Sequence, residues 1–337
     1  MELNKFLIEG RNKLKKVSGS SFFFEEKNYE ETLPGLGWAG RGVTFRRNTE
    51  FIEKYRIKSN LIHSNFVPSL NTKLFNKNLS MPIMIAPMSG IKTNLRETIN
   101  EKELLSKLLK VANSVGTYAF CGDSNDTTED YFIPELLSHY EGIAMVKPRN
   151  DNEIKKRIEL LIKTNPVAIG IDLDGLGGVK LFKTNAVETK NLYQLIKIRK
   201  LFSGPMILKG ILSVKDAELA YKAGFDGIVV SNHGGRSADF LPSVAEVLPD
   251  IVKKFKNKMT IFADGGIKNG YDIFIYLALG ADFVLVGRSS LFPSMSKGSE
   301  GLELFFKKLE TELKKTMLFT NTKSLKEINL SKIYYND

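Results

Sequence analysis

The chain has 337 residues, of which 42% are hydrophobic and 26% are charged, a balance that excludes a disordered chain or a fibrous repeat. The length allows two domains or one large barrel with extensions. The formal net charge of +11 makes an anionic polymer or surface a partner to be considered.

The basic residues are spread along the whole chain. Pairs such as Lys155-Lys156 and Lys253-Lys254 fall in segments of helical periodicity, where they indicate solvated helix faces. We therefore expect no nucleic-acid partner. The single cysteine, Cys121, excludes an intrachain disulfide and is typical of a reducing compartment, so we expect a cytoplasmic protein.

The N-terminal segment MELNKFLIEG carries acidic residues and lacks the apolar core of a secretory signal. The run PIMIAPMSGI is too short to span a bilayer, so we expect a soluble protein without a transmembrane segment. The stretch GLGWAGRGVTF that follows the polar N-terminal region is rich in glycine, which predicts a loop.

Short apolar runs then alternate with longer amphipathic segments. Such runs are typical of parallel strands that are buried on both faces. The predicted strands, in chain order, are PIMIA (82–86), TYAFC (117–121), IAMVK (143–147), VAIGID (167–172), PMILK (205–209), GIVVS (227–231), TIFAD (260–264) and DFVLV (282–286).

The segments between the runs carry helix signals, such as SVKDAELAYKAG with Ser213 as N-cap and Gly224 as C-terminal stop. The segment GYDIFIYLALG, which ends at Gly280, is a second example. Eight strand-helix units favour a closed (β/α)8 TIM barrel over an open doubly wound sheet. The tail GLELFFKKLETELKKTMLFT predicts an amphipathic helix outside the barrel.

We therefore expect an N-terminal extension over residues 1–80 that packs on the barrel. Residues 81–337 would form the barrel and its C-terminal helical tail. In such barrels the active site lies at the C-terminal ends of the strands. Each predicted strand is apolar until its end and then becomes polar, as at Asp172 and Asp174 at the end of the fourth strand and at Lys209 at the end of the fifth.

Two glycine-bearing loops, DGGIKNG and GRS, follow the seventh and eighth strands, which is the usual phosphate-binding corner of these barrels. Glycines let backbone N–H groups approach an anion, and Lys268 and Arg288 can supply positive charge. We therefore expect a phosphate-bearing ligand there, although each loop taken alone could be only a tight turn.

His233 and Arg236 lie in the segment SNHGGR after the sixth strand. The two glycines between them allow a turn that presents both side chains to one pocket. A base beside a guanidinium group suits a carboxylate-bearing substrate from which a proton is removed. Lys209 admits three interpretations: a buried lysine paired to a carboxylate, a cation that stabilises negative charge on a cofactor, or a Schiff-base lysine.

The motifs LKGI, SNHGGR, DGGIKNGYDIFIYLALGAD and VGRSSLF strongly resemble the FMN-dependent α-hydroxy-acid dehydrogenases and oxidases, which include glycolate oxidase and lactate oxidase. The resemblance is dense from Pro205 to Phe292 and weaker elsewhere, in NLSMPIMIAPMSG and GVTFRRNTEFIEKYRI. The chain is similar to a shorter bacterial branch of the family. It implies an FMN enzyme that oxidises a small 2-hydroxy acid to the 2-oxo acid.

The resemblance implies that His233 takes a proton from the substrate and that Arg236 binds its carboxylate. Lys209 would lie by the flavin edge where negative charge gathers on reduction. The residues predicted to bind FMN are Pro87, Met88, Ser89, Cys121, Asp172, Lys209, Ser231, Asp264, Gly265, Gly266, Lys268, Gly287 and Arg288. The electron acceptor would be oxygen, a quinone or a carrier protein, and a homo-oligomer is compatible with the sequence.

The chain departs from the family pattern around the substrate. Lys147 stands near the position of a family tyrosine, and Gly170 replaces a threonine of the fourth strand. No arginine follows that strand, and Lys180 is the nearest cation. We therefore expect Lys147 and Lys180 to assist Arg236 in substrate binding, and we expect no metal site.

Three other functions are kept as alternatives. IDLDGLGG resembles the strand-four region of type 2 isopentenyl diphosphate isomerase, another FMN barrel. Lys209 could serve a Schiff-base aldolase. The chain could also be an FMN-binding protein with a degraded site.

Overall fold

The computed structural model of the chain describes residues 8–10, 12–13, 38–90, 99–123, 130–177 and 186–336. Within these ranges eight parallel strands form a closed barrel, in which each strand pairs with its neighbours in the chain and the last strand pairs with the first. The barrel strands are β4 (Ile83–Met88), β5 (Ala119–Cys121), β6 (Ile143–Val146), β7 (Ala168–Asp172), β8 (Met206–Ile211), β9 (Gly227–Val230), β10 (Thr260–Ala263) and β11 (Phe283–Val286).

Each of the eight predicted runs overlaps one of these strands, with β4 and β8 extending two residues beyond their runs, and the prediction of a closed TIM barrel is confirmed. The interior is filled by side chains such as Met84, Phe120, Phe262 and Phe283, and the ring centroid of Phe262 lies 5.5 Å from that of Phe120 and 5.3 Å from that of Phe283. The barrel is therefore a packed core and not a pore.

Four short strands lie outside the barrel: β1 (Tyr55–Ile57), β2 (Thr72–Leu74), β3 (Lys77–Leu79) and β12 (Ile333–Tyr335). Leu74 and Leu79 of the β2–β3 hairpin pack in the same cluster as Tyr118 and Val167, which directly precede β5 and β7. The hairpin therefore closes the N-terminal end of the barrel. The C-terminal ends of the strands are left for a site.

The helices of the described residues are α1 (Val43–Ile52), α2 (Glu101–Ser114), α3 (Ile133–His139), α4 (Asp151–Ile162), α5 (Leu192–Arg199), α6 (Val214–Lys222), α7 (Val244–Phe255), α8 (Gly270–Ala278) and α9 (Arg288–Phe319). The Ser213 side chain accepts the N–H of Asp216 at the start of α6, and Gly224 follows the helix at φ 86°. Both predicted ends of this helix are thus confirmed.

The expected loop GLGWAGRGVTF is only partly a loop. Gly42 at φ 72° ends it, and α1 begins at Val43, because only the first part of the stretch is glycine-rich. Helix α1 lies against α7 and the turn His233–Gly235, so the N-terminal region reaches the C-terminal face of the barrel. Antiparallel pairing of β1 with β12 joins it to the end of the chain.

The predicted amphipathic helix of the tail is the second part of α9, which bends at Lys297 and Gly298. Its apolar side chains, among them Leu302, Phe305 and Leu309, are buried, and the helix packs against α8 and α2. Among the described helices none has the length and hydropathy to cross a bilayer. The domain limits at residues 80 and 81 stay a prediction.

Candidate active site

Four ionisable side chains meet at the C-terminal ends of β7, β8 and β9. The Nζ of Lys209 lies 2.8 Å from Oδ1 of Asp172 and 2.9 Å from both carboxylate oxygens of Asp174. The Nδ1 of His233 lies 3.0 Å from Oδ1 of Asp174 and 3.9 Å from Oδ2 of Asp172. The Lys209 side chain is 2% exposed, so these charges interact with little screening by solvent.

Burial and mutual repulsion give the carboxyl groups of Asp172 and Asp174 different pKa values. Burial, and then the charge of Asp174, raise the pKa of Asp172 to about 6. Burial also opposes ionisation of Asp174, but Lys209 and His233 outweigh it and hold the pKa of Asp174 well below its ordinary value. Burial alone would lower the pKa of Lys209, whereas the two carboxylates raise it, so this side chain is an ammonium.

One carboxylate oxygen each of Asp172 and Asp174 and one ring nitrogen of His233 lie within 4.8 Å of one another, a spacing that could hold a cation. The ammonium of Lys209 is already hydrogen-bonded to both carboxylates at this place. The expected absence of a metal site stays a prediction.

The segment after β9 turns sharply enough to present His233. His233 has φ 55° and Gly234 has φ 60°, the left-handed region in which a glycine is easily accommodated. The backbone N–H of His233 donates to Oγ of Ser231 at 3.0 Å, and the Ser231 hydroxyl donates to Oδ2 of Asp264 at 2.9 Å. The ends of β9 and β10 therefore fix the start of this turn together.

A buried amide pair fixes the same turn from the other side. Nδ2 of Asn48 lies 2.9 Å from Oδ1 of Asn232, and Nδ2 of Asn232 lies 2.8 Å from Oδ1 of Asn48. A Cβ on Gly266 would lie 2.9 Å from the backbone carbonyl of Asn48, so the loop after β10 passes directly against α1. Helix α1 thus contacts both site loops.

The loops after β10 and β11 form a cationic, glycine-lined corner. Gly265 and Gly266 have φ 94° and 74°, and the guanidinium of Arg288 donates to the carbonyl of Gly234 at 2.5 Å and covers the Phe45 ring at 4.5 Å. Burial, and then the nearby charge of Arg236, lower the pKa of Arg288 to about 9. An anion bound here would offset that repulsion.

Asp264 provides a further sign of a polar ligand. Its Oδ1 is buried and has no hydrogen-bond partner among the described residues. Burial raises the pKa of this carboxyl group. Buried polar atoms in proteins are nearly always hydrogen-bonded, so an oxygen in this state indicates a ligand hydroxyl group or water as its partner.

Lys147 lies on the opposite side of the barrel mouth. Its Nζ donates to the carbonyl oxygen of Asp123 and lies 3.4 Å from Oγ of Ser89, beside the end of β4. Burial lowers the pKa of the Lys147 amine. The Asp123 carboxylate accepts the backbone N–H of Lys147 at 3.1 Å and binds the guanidinium groups of Arg149 at 2.9 Å and Arg157 at 3.2 Å.

The structure thus gathers most of the predicted site residues at the C-terminal face of the barrel. Met88 and Cys121 are partners in the register of β4 and β5, and burial raises the pKa of the Cys121 thiol to about 12, so this side chain is not a nucleophile. Lys268 is half-buried in the loop after β10. Lys180 lies outside the described residues, so its expected role stays a prediction.

Sequence reasoning gave no role to three residues that the structure places in contact with the site. Asp174 had one usable signal, since it is a second carboxylate two positions after Asp172. Asn48 and Asn232 had none that periodicity or spacing could provide, because their contact joins residues 184 positions apart.

Comparison with known proteins gives one consistent family. A family model described as FMN-dependent dehydrogenase matches residues 36–130 and 148–335. An L-lactate dehydrogenase of Acinetobacter baylyi is 42% identical over 350 aligned residues, which cover 88% of this chain and 90% of the relative. One of Acinetobacter baumannii is 44% identical over 356 residues, covering 87% and 90%.

Solved structures agree with this chain in fold. A monotopic membrane protein, (S)-mandelate dehydrogenase, superposes with a TM-score of 0.82 at 19% identity over 99% of each chain. A mandelate oxidase gives a TM-score of 0.81 at 20% identity, again over 99% of each chain. A flavocytochrome b2 variant with pyruvate bound gives 0.76 at 21% identity, over 88% of this chain and 80% of the other.

Proposed function

Because the chain belongs to the FMN-dependent dehydrogenase family, we propose that it oxidises a small 2-hydroxy acid to the corresponding 2-oxo acid. The observation that carries the proposal is the pairing of His233 with a buried carboxylate at the barrel mouth, three residues before Arg236. The curated relatives are L-lactate dehydrogenases, so lactate is the first substrate to test.

The residues at the last two strands suit FMN. The glycines after β10 let backbone N–H groups approach a phosphate, and Arg288 and Lys268 supply charge beside it. The Oδ1 of Asp264, for which the described part of the chain offers no hydrogen-bond partner, suits a ribityl hydroxyl group, and Ser231 lies next to it. On the other side, the end of β4 at Pro87, Met88 and Ser89 would line the flavin ring. The predicted set is completed by Cys121, Asp172, Lys209 and Gly287.

The chemistry at the substrate follows from the chain's own groups. Oxidation of the 2-hydroxy acid removes two electrons and two protons; FMN, when bound, would take both electrons and one proton, and His233 would take the other proton. His233 removes the proton of the 2-hydroxy acid, because Nδ1 is directed at Asp174 and the opposite ring nitrogen, Nε2, is left to act as the base. The carboxylate next to His233 then stabilises the positive charge that the imidazole gains.

Arg236 binds the substrate carboxylate, since a guanidinium group can donate two parallel hydrogen bonds to it. Burial lowers the pKa of Arg236, and a bound carboxylate would compensate for that loss of solvation. Lys147 would assist Arg236 in binding the substrate carboxylate. Lys180, which lies outside the described residues, would do the same. Lys147 has the better support, because its Nζ lies beside Ser89 at the barrel mouth.

The alternatives make different predictions from the same site. A Schiff-base aldolase needs a neutral amine, whereas two carboxylates raise the pKa of Lys209. An isomerase of isopentenyl diphosphate does not need the pairing of a base with a carboxylate-binding arginine on one loop. A degraded site would leave FMN binding intact and make His233 dispensable.

The deciding experiment is an anaerobic titration of the purified holoprotein. We expect a flavin absorption spectrum that bleaches on addition of L-lactate or a related 2-hydroxy acid. If a broad panel of 2-hydroxy acids leaves the flavin oxidised, the proposed reaction is wrong. Reoxidation by air, a quinone analogue or an added carrier protein then identifies the electron acceptor.

We also propose a cytoplasmic location and allow a homo-oligomer. The single cysteine supports a reducing compartment, although a relative in fold is a monotopic membrane protein. Fractionation of cells tests the location, since recovery in the membrane pellet would contradict it. Sedimentation of the holoprotein measures the assembly state.

A further inference from the structure

The ammonium of Lys209 is held by two carboxylates, and the family resemblance gives no role to the second of them, Asp174. We propose that Asp174 lowers the reduction potential of the bound FMN, because its carboxylate neutralises the Lys209 ammonium that faces the flavin ring. The inference rests on the FMN site of the proposed function. Its tests use the holoprotein and need no 2-hydroxy acid.

Protein groups occupy the ammonium of Lys209 completely. It has three protons, and three carboxylate oxygens lie at hydrogen-bond distance from Nζ: Oδ1 of Asp172 at 2.8 Å and both oxygens of Asp174 at 2.9 Å. The Lys209 side chain is 2% exposed, so water hardly competes for these protons. The ammonium is therefore left without a proton to donate to a cofactor.

The course of the chain after β7 supplies the second carboxylate. Asp172 is the register partner of Lys209 where β7 pairs with β8. Asp174 follows in the turn of 3-10 helix Leu173–Gly177, which brings its carboxylate back to the same ammonium. One carboxylate balances the charge of Lys209. The second therefore adds an excess of negative charge at this place.

This ion cluster lies next to the groups that suit FMN. Lys209 and Asp264 interact electrostatically, and Asp264 suits a ribityl hydroxyl group. Strands β8 and β4 lie on opposite sides of the closed barrel, since three strands separate them in either direction. A ring that is joined to a ribityl group at Asp264 and lined by the end of β4 would therefore cover the mouth that Lys209 faces.

The balance of charge around the ring decides the sign of the effect. Reduction by two electrons with uptake of one proton leaves a flavin ring with one negative charge. A buried cation next to the ring stabilises that charge and raises the reduction potential, whereas a buried anion lowers it. In the described part of the chain, the ends of β7, β8 and β10 carry one ammonium and three largely buried carboxylates: Lys209, Asp172, Asp174 and Asp264.

Two arginines complete the charges of this face. Arg236 follows β9 and Arg288 follows β11. In the proposed function their charges are paired by the substrate carboxylate and by the phosphate. The carboxylate of Asp174 therefore remains the added charge that the flavin ring meets at Lys209.

The test compares Asp174→Asn, which removes the charge, with Asp174→Glu, which keeps it. The midpoint potential of each holoprotein is measured by reductive titration against a reference dye at pH 8. Both carboxylates are ionised there, because the pKa of Asp172 is about 6 and that of Asp174 lies well below its ordinary value.

We expect Asp174→Asn to shift the equilibrium towards reduced flavin by about tenfold, as for other charges in close contact, which is about 30 mV for two electrons. Asp174→Glu should stay close to the wild type. Glu141→Gln removes a carboxylate that pairs with Lys77 at an exposed place on the hairpin side of the barrel, and it should change nothing.

Binding of sulfite provides a second measurement. Its lone pair forms a reversible bond to the oxidised ring, which takes up the pair as negative charge, so the adduct reports the charge nearby. We expect the dissociation constant of sulfite to fall about tenfold in Asp174→Asn and to change little in Asp174→Glu. If Asp174→Asn does not retain FMN, Asp174→Ser replaces it in both measurements.

A third comparison separates Lys209 from the imidazole, which also contacts Asp174. Both shifts should persist when Asp174→Asn is made in a His233→Gln background. Shifts that vanish there would assign the effect to His233 and overturn the inference.

An unchanged or lower potential in Asp174→Asn overturns the inference as well. So does an equal rise in Asp174→Asn and Asp174→Glu, because lost packing and not lost charge would then be the cause. Potentials that shift as expected, in a holoprotein whose flavin no 2-hydroxy acid reduces, would contradict the proposed function and leave the charge effect standing. Reduction by a 2-hydroxy acid with unshifted potentials would do the opposite.

Discussion

Asn48 and Asn232 bind each other through two amide hydrogen bonds, 2.8 and 2.9 Å long, although they lie 184 positions apart in the chain. Asn48 belongs to α1, and Asn232 begins the turn that carries His233. Both side chains are buried. The N-terminal helix is thereby part of the framework of the candidate site.

Asn48→Ala removes this pair and leaves the amide of Asn232 buried without that partner. We expect the free energy of unfolding to fall by about 1 to 3 kcal/mol, as for other buried groups left unpaired. Affinity for FMN should fall as well, because the loop of Gly265 and Gly266 rests on Asn48. Urea denaturation and flavin titration measure the two effects.

The matched control is Asn78→Ala, which changes an exposed asparagine on β3. It should alter neither quantity. A loss of stability without any change in FMN affinity would show that Asn48 does not support the loop of Gly265 and Gly266 for cofactor binding.

His233→Gln removes the proposed base and keeps a polar side chain of similar size. We expect kcat to fall by about 10²- to 10⁴-fold, the usual contribution of a general base, with FMN still bound. Stopped-flow measurement of flavin reduction tests this. His139→Gln, at the exposed end of α3, is the control. Unchanged reduction in His233→Gln would favour a site that no longer uses this base.

Arg236→Lys keeps the charge and loses the planar fork. We expect kcat/KM to fall by about tenfold to a hundredfold, since hydrogen bonds to charged groups contribute about 1.5 to 3 kcal/mol. Titration with a 2-oxo acid, followed through the flavin spectrum, measures binding separately from chemistry. Arg56→Lys changes an exposed arginine and serves as control. An unaltered affinity for the 2-oxo acid would mean that Arg236 does not bind the carboxylate.

Arg288→Met tests the phosphate corner. Arg288 is a cation whose pKa burial and Arg236 lower to about 9, so a bound phosphate dianion gains a strong partner there. We expect affinity for FMN to fall by about tenfold to a hundredfold, and affinity for riboflavin, which lacks the phosphate, to change little. Arg41→Met is an exposed control. Equal losses for FMN and riboflavin would place the phosphate elsewhere.

Asp123→Asn tests the ion cluster beneath Lys147. The variant would leave Arg149 and Arg157 facing each other without the carboxylate, and the side chains of Asp123 and Arg157 are both 0% exposed. We expect the free energy of unfolding to fall by about 3 to 5 kcal/mol, as when one partner of a buried pair is removed. Chemical denaturation of the holoprotein measures it.

Glu141→Gln is the control for this cluster, because Glu141 pairs with Lys77 at an exposed place. Surface pairs contribute about 0 to 1 kcal/mol, so the change should be small. Similar losses in Asp123→Asn and Glu141→Gln would contradict the importance assigned to the buried cluster.

The amino-acid sequence by itself determined the barrel. Strands buried on both faces must be apolar throughout, so runs such as PIMIA and GIVVS stood out, and each one overlaps a strand. The same burial rule made the polar residues at the strand ends visible. Lys209 and His233 were therefore assigned to the correct face, and the motifs around them identified the cofactor.

Only the tertiary structure decided which of these side chains touch. Asp174 meets His233 across 59 positions, and Asp123 meets two arginines that follow a different strand. Periodicity reports which face of an element is buried, but it contains no information about pairs brought together by barrel closure. A Cβ on Gly210 would lie 2.8 Å from N and Cβ of Asp174, so this glycine leaves room for the turn after β7. Barrel closure and this turn place Asp174 rather than Asp172 within hydrogen-bond distance of the imidazole.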